Sequence, residues 1–179
     1  MEKLAKLTPK VMGWNQRTDG TGFGNLTGEE IAAALGSIRT DDAPSSLMRA
    51  KYCHDARELR KLLARIKGSI ITSCDVPDNL ITPLALLVCE EVILPPLCPV
   101  CQGRKETIVN SLKIVCKNCE GGGVVRKSDG YMASHLNITV REWQDKYLKQ
   151  FGIALDIAYG WEHQGRMAIM NALMFEKSA

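Results

Sequence analysis

The sequence predicts a mainly α protein: a helical domain with an inserted four-cysteine zinc ribbon, formed as a β-hairpin, and a helix-turn-helix. Three observations carry that prediction. Apolar residues recur at helical spacing on both sides of the chain's middle, as in Leu59, Leu62, Leu63 and Ile66. Two Cys-x-x-Cys pairs flank a short β-prone stretch. Two helix-capping patterns bracket a three-residue break at Asn137-Ile138-Thr139.

Composition sets the frame. The 179 residues are 45% hydrophobic and 24% charged, which fits a folded chain and not a disordered one. The longest apolar runs, Leu84 to Cys89 and Val92 to Leu97, are separated by Glu90 and Glu91, so no window approaches a membrane span. The first fifteen residues lack a continuous apolar stretch of the secretory kind. A soluble, cytoplasmic protein with no membrane partner is therefore expected. Charge is uneven. Residues 1–97 hold 12 Lys/Arg and 12 Asp/Glu, whereas residues 98–151 hold 9 against 5. That surplus favours a polyanionic partner for the second half, with a solvated surface as the plainer alternative.

Four of the seven cysteines form one pattern: Cys98-Pro-Val-Cys101, fourteen intervening residues, then Cys116-Lys-Asn-Cys119. Each pair makes a tight turn that aims two sulfurs inward, and the set is that of one structural, tetrahedral Zn2+. Four thiolates close the coordination shell and leave no position for a catalytic water. A redox pair or two disulfides are the competing readings; neither accounts for two such pairs around a hairpin. Thr107-Ile108-Val109 and Leu112 to Val115, on either side of Asn110-Ser111, are its strands. Cys53 and Cys89 read as small buried hydrophobes in helices.

Residues 1–25 read as a flexible arm, and residues 26–97 as a helical region. Thr27-Gly-Glu-Glu30 opens a helix that Gly36 stops. Ser45 or Ser46 caps a longer helix that ends at Gly68 and carries Arg49, Lys51, Arg57, Arg60, Lys61, Arg65 and Lys67. Thr82-Pro83 starts another, which Pro95-Pro96 ends. After the ribbon at 98–127 comes the helix-turn-helix at 128–152. Ser128-Asp129 caps its first helix, and Thr139-Val-Arg-Glu142 opens the second, which Gly152 stops. Ala133 is small where the helices must meet, and Asn137 can take the left-handed conformation in the turn. Val140, Trp143, Tyr147, Leu148 and Phe151 form the apolar face. Residues 153–179 supply closing helices, with a break near Gly160 and Gly165.

In that geometry Arg141, Gln144 and Asp145 reach base edges of double-stranded DNA, while Thr139, Lys146 and Lys149 lie nearer phosphates, and Arg126 and Lys127 are further DNA-binding candidates. Trp143 stands where a smaller aliphatic residue is usual. An ordinary helical hairpin packing its aromatic face is the plainer reading of the same residues. His54, His135 and His163 have no carboxylate or nucleophile at an interpretable spacing, and no catalytic constellation stands out, so an enzyme is not expected.

Taken together, CPVCQGRKE (98–106), VCKNCEGGGVVRKSDGYMASHL (115–136) and NITVREWQDKYLKQFGIAL (137–155) resemble the C-terminal half of the lambda-type bacteriophage late antitermination proteins, the Q family. LTGEEIAAALG (26–36) is similar to that family's N-terminal helix. The resemblance implies a regulator in the host bacterial cytoplasm. It would bind DNA in the late promoter, engage RNA polymerase paused with its sigma subunit, and carry it through terminators, with host elongation factors as further partners. It implies that Cys98, Cys101, Cys116 and Cys119 hold the zinc bracing the recognition unit. Arg57, Lys61 and Arg65 on the basic helix are candidates for the polymerase contact on charge alone. The alternatives are a zinc-containing DNA-binding transcription factor without antitermination and a zinc-ribbon protein-interaction module.

Overall fold

The structure, a computed structural model, describes residues 28–38, 41–94, 97–109, 112–125 and 127–176. The arm at 1–25, Thr27, the Pro95-Pro96 stop, the Asn110-Ser111 turn and Arg126 lie outside the described residues. Helices α1 (Gly28–Ser37), α2 (Ala43–Tyr52), α3 (Ala56–Ser73) and α4 (Asp78–Ile93) precede a two-stranded antiparallel sheet, β1 (Glu106–Val109) and β2 (Leu112–Val115). Helix α5 (Asp129–Leu136), a single turn α6 (Val140–Glu142), a π-helical turn (Trp143–Tyr147) and α7 (Leu148–Glu176) follow. The protein is mainly helical, as its apolar periodicity predicts. No helix among the described residues is long and apolar enough to cross a membrane.

The expected long basic helix from Ser45 to Gly68 is two helices. Cys53 ends α2, His54 sits at φ 56°, and Asp55 caps α3 by accepting from the N–H groups of Arg57 and Glu58. Asp42, not Ser45 or Ser46, caps α2. Ser46 is buried and donates its hydroxyl to Glu58 at 2.7 Å, stitching the two helices together. The break turns Arg49 and Lys51 away from solvent. Arg49 donates to the carbonyls of Leu35 and Ile38, at the C-terminal end of α1. Lys51 is buried against Glu162, 2.5 Å away, and Arg166 donates to the same carboxylate oxygen at 2.6 Å. Cys53, expected inside a helix and buried, is exposed at this break; Cys89 is fully buried, which pushes its thiol up to about 12.

Helix α4 begins one turn earlier than Thr82-Pro83 suggests, so Pro83 lies inside it. At this sixth position the ring removes the bond that would reach the Asn79 carbonyl, a cost that the burial of Leu80, Leu84, Leu87 and Val88 on the same helix offsets. Gly36 and Gly68 likewise sit within helices, since neither adopts the positive φ that would stop one.

The largest departure is at the C-terminal side. Gly152 does not stop the helix, and Gly160 and Gly165 do not break it; α7 runs 29 residues through all three. Each internal glycine costs about 1 kcal/mol relative to Ala, an amount that tertiary packing overrides. At Gly165 the packing is visible: a Cβ there would lie 2.4 Å from Met48 Cγ and 3.2 Å from the Pro44 carbonyl oxygen. The glycine lets α2 and α7 approach. Gly165→Ala is therefore expected to lower stability by about 1–3 kcal/mol in urea unfolding, and Met48→Ala in the same chain to relieve the clash.

One large core joins all these helices. Ile31, Leu47, Leu62, Ile66, Leu84, Leu87, Trp143 and Ile169 are among its fully buried members. The ribbon has a separate, much smaller one: Cys98, Cys101 and Cys116, with Cys119 and Val125 partly buried beside them.

Candidate metal centre and the adjoining helices

The ribbon is built by backbone hydrogen bonds. In the first knuckle Gln102 donates to the Cys98 carbonyl at 2.7 Å and Arg104 to that of Cys101 at 2.9 Å. In the second, Gly121 and Gly122 donate to the carbonyls of Cys116 and Cys119. Gly123 takes φ 78°, and a Cβ there would press on the Gly103 carbonyl at 3.0 Å, so the knuckles meet across glycine. The strands pair Glu106 with Val115, Thr107 with Ile114, Ile108 with Lys113 and Val109 with Leu112, the hairpin that the β-prone segments predict. A bridge between Leu97 and Val124 closes the ribbon at its base.

This framework gathers the four sulfurs within 4.8 Å of one another. Cys98 and Cys116 are 3.8 Å apart, Cys101 and Cys119 3.6 Å. A tetrahedral ion with metal–sulfur bonds of about 2.3 Å needs sulfur separations of about 3.8 Å, whereas a disulfide needs about 2 Å. All four cysteines are free, and the donor set is compatible with one metal ion.

The surroundings favour a thiolate at Cys98 and a thiol at Cys119. Asn118 Nδ2 and the Gly123 N–H each point at a sulfur, Cys98 and Cys119 respectively, at 3.2 Å. Burial alone raises the Cys98 thiol, but hydrogen bonds from the Cys101 backbone, Asn118 and the Val100 backbone outweigh it and bring Cys98 down to about 6. Burial, together with hydrogen bonds among the other sulfurs, pushes Cys119 up to about 11. Binding a metal therefore displaces protons from the cluster.

Beyond the ribbon the chain is anchored by Lys127, which reaches Glu90 at 2.9 Å and Glu91 at 3.9 Å on α4, and lies 5.4 Å from the Tyr131 ring centre. Tyr131 donates to both Glu90 oxygens. Lys127, expected to bind DNA, is mostly buried as a tie between the ribbon's exit and the helical core.

Local chemistry then sets the next turn. Ser128 caps α5 by accepting from the Tyr131 N–H. Asn137 adopts the left-handed conformation at φ 57° and donates its N–H to Ala133 and Ser134. Thr139 caps the following helix through the Glu142 N–H at 3.1 Å. Ala133 is buried where α5 meets that helix. Trp143, the unusual residue, is 1% exposed, and its ring lies 5.5 Å from that of Phe151. Trp143, Tyr147 and Phe151 make a buried stripe spaced by four residues. The π-helical turn fits that stripe, with the Leu148 N–H donating to the Trp143 carbonyl. Val140 and Leu148, expected on this face, lie half-exposed on its flanks.

Asp129, expected only to cap α5 together with Ser128, also joins the two helices. Its two carboxylate oxygens accept from Trp143 Nε1 at 3.1 Å and Gln144 Nε2 at 2.6 Å. It locks the start of α5 onto the second helix. Asp129→Ala is expected to cost about 1–3 kcal/mol in chemical unfolding by orphaning the indole N–H. Asp129→Asn, which keeps an acceptor oxygen, should cost less.

The other predicted positions divide. Arg141 is 92% exposed and 3.6 Å from Asp145; Lys146 is exposed, 3.6 Å from Glu142. Thr139 and Lys149 are exposed too, whereas Gln144 is held by Asp129. On α3, Lys61 pairs with Asp41 and Glu58, and Arg65 with Asp41, while Arg57 is exposed. No family model matches the chain, and no curated protein matches it.

Proposed function

We propose that this chain is a transcription regulator of the lambda Q type. It binds duplex DNA within a late promoter, loads onto host RNA polymerase paused with its sigma subunit, and makes it read through terminators. The observation that carries the reading is the unit from Ser128 to Gln150: a short helix, a turn with a left-handed Asn137, and a capped second helix. We read that unit as a helix-turn-helix, in which the second helix presents its first turns to the major groove. Arg141 there contacts base edges, with Asp145 orienting its guanidinium, and Thr139, Lys146 and Lys149 contact phosphates. Gln144 reads a base only by leaving Asp129.

The tetrathiolate centre holds one structural Zn2+ in this reading, and the zinc fixes the ribbon beside α5. The polymerase step rests on the family resemblance; Arg57, with Lys61 and Arg65 behind it, is the surface assigned to it. Arg141→Ala is expected to weaken binding to the cognate promoter by about 1–3 kcal/mol and to change binding to random duplex little. Equal loss on both would make Arg141 a phosphate contact.

The deciding experiment is transcription in vitro with host RNA polymerase across a strong terminator, on templates with and without the protein's own late promoter. Read-through confined to the promoter-bearing template is expected. A metal-dependent footprint without read-through would leave a DNA-binding transcription factor, and neither result would favour an interaction module.

A further inference from the structure

The ribbon buries sulfur and little else. Its apolar strand residues face solvent: Ile108 is 70% exposed, Leu112 68% and Val115 60%. Ile108 and Val115 share one face of the hairpin and Leu112 lies on the other. A hairpin held together by a metal centre and backbone bonds has no internal need for these side chains, and apolar residues exposed together mark contact surfaces. Among the described residues the sheet has two strands only, so the outer edge of β1 pairs with no strand. A groove of about 620 Å³ runs along that strand from Gly103 to Ile108 and is bounded by Val100 and Lys113. Its charged residues are Arg104, Lys105 and Lys113 against Glu106 alone.

We infer that the outer edge of β1 and this groove dock an extended, acidic segment of a protein partner, which adds to the sheet as a third strand. An added strand satisfies the backbone groups along the edge, and its alternate side chains fall on the two faces. Ile108 and Lys113 lie opposite each other on one face, so the side chains added on that face include an apolar one over Ile108 and Val100 and a carboxylate toward Lys113, with Arg104 and Lys105 at the groove's other end. Charge decides between occupants. A second copy of this chain would set two surpluses of positive charge against each other. A phosphate backbone would match the charge but leave the apolar residues beside the groove uncovered. The surface uses none of the residues assigned to DNA, so it stands whether or not that assignment does.

The test uses the full, zinc-loaded chain and a capped peptide of repeated Glu-Glu-Val-Val, which puts both residue types on each face of an added strand, with a Lys-Lys-Val-Val repeat and a random DNA duplex as comparisons. The Glu peptide is expected to shift the backbone amide resonances of residues 103–108, and the Lys peptide and the duplex to leave them unmoved. The double variant Lys105→Glu with Lys113→Glu should bind the Glu peptide at least about tenfold more weakly and gain binding to the Lys peptide. Both substitutions are outside the metal site, and unchanged metal content confirms that the ribbon is folded. Equal response to both peptides, a response to DNA at these amides, no response, or self-association through β1 would each overturn the inference.

Discussion

Replacing Cys98 or Cys116 by Ser is expected to unfold residues 97–125 and leave the helical core standing. The ribbon's buried residues are three cysteines, joined by partly buried Cys119 and Val125, and they form a cluster separate from the larger core. Without a metal, a two-stranded hairpin of this size is marginal at best. Structural zinc supplies an apparent binding energy of about 10–16 kcal/mol at neutral pH, and in such a module that energy is folding energy. Far-ultraviolet circular dichroism should therefore keep most of its helical signal in the Ser variants, while amide protons at 97–125 lose protection. A chelator should reproduce the effect on the unaltered chain. Collapse of the helical signal would mean that the ribbon is part of the main cooperative unit.

Glu162→Ala is expected to destabilise the helical core by about 3–5 kcal/mol, because it leaves Lys51 buried without its carboxylate. Burial alone raises the Glu162 carboxyl, but the Lys51 ammonium and the Arg166 guanidinium outweigh it and hold the group below its ordinary 4.5. A carboxyl lowered in the folded state stabilises the fold above the unfolded value of 4.5. That stability is lost as pH falls below 4.5 through the folded value. Urea unfolding at neutral pH and at a series of acidic values checks both points: the unaltered chain should lose stability across this window, and Glu162→Gln should flatten that part of the profile.

What the sequence discloses is what short-range chemistry decides. The caps at Ser128 and Thr139 and the left-handed Asn137 depend on residues within a few positions of one another, and the hairpin and the sulfur quartet on the single segment 98–119. The break at Cys53 to Asp55 was legible too: Asp55 followed three residues later by Glu58 is a helix-start pattern, hidden inside a longer stretch of helix formers. The uninterrupted α7 was not legible. A glycine ends a helix only when tertiary structure lets it turn left-handed, and the reason for Gly165 lies more than a hundred positions away, at Met48. The Lys51–Glu162 pair spans a similar distance, so the basic residues around it read as surface. Asp129 was read as a cap companion because its true partners, Trp143 and Gln144, lie across the turn.

The helix α7 has a mechanical consequence. Its 29 residues make a rod of about 44 Å. Residues assigned to DNA stand at one end, and α1, α2, α3 and α4 lean against the shaft. Such a rod works as a lever. A tilt of about 10° imposed where Arg141 enters a groove would swing the far end by about 8 Å. The Lys51–Glu162 pair sits near the middle of that shaft, where it resists such a swing as a clamp resists a crowbar. On the proposed reading, engagement of DNA and the bearing of the remaining helices are geared to each other.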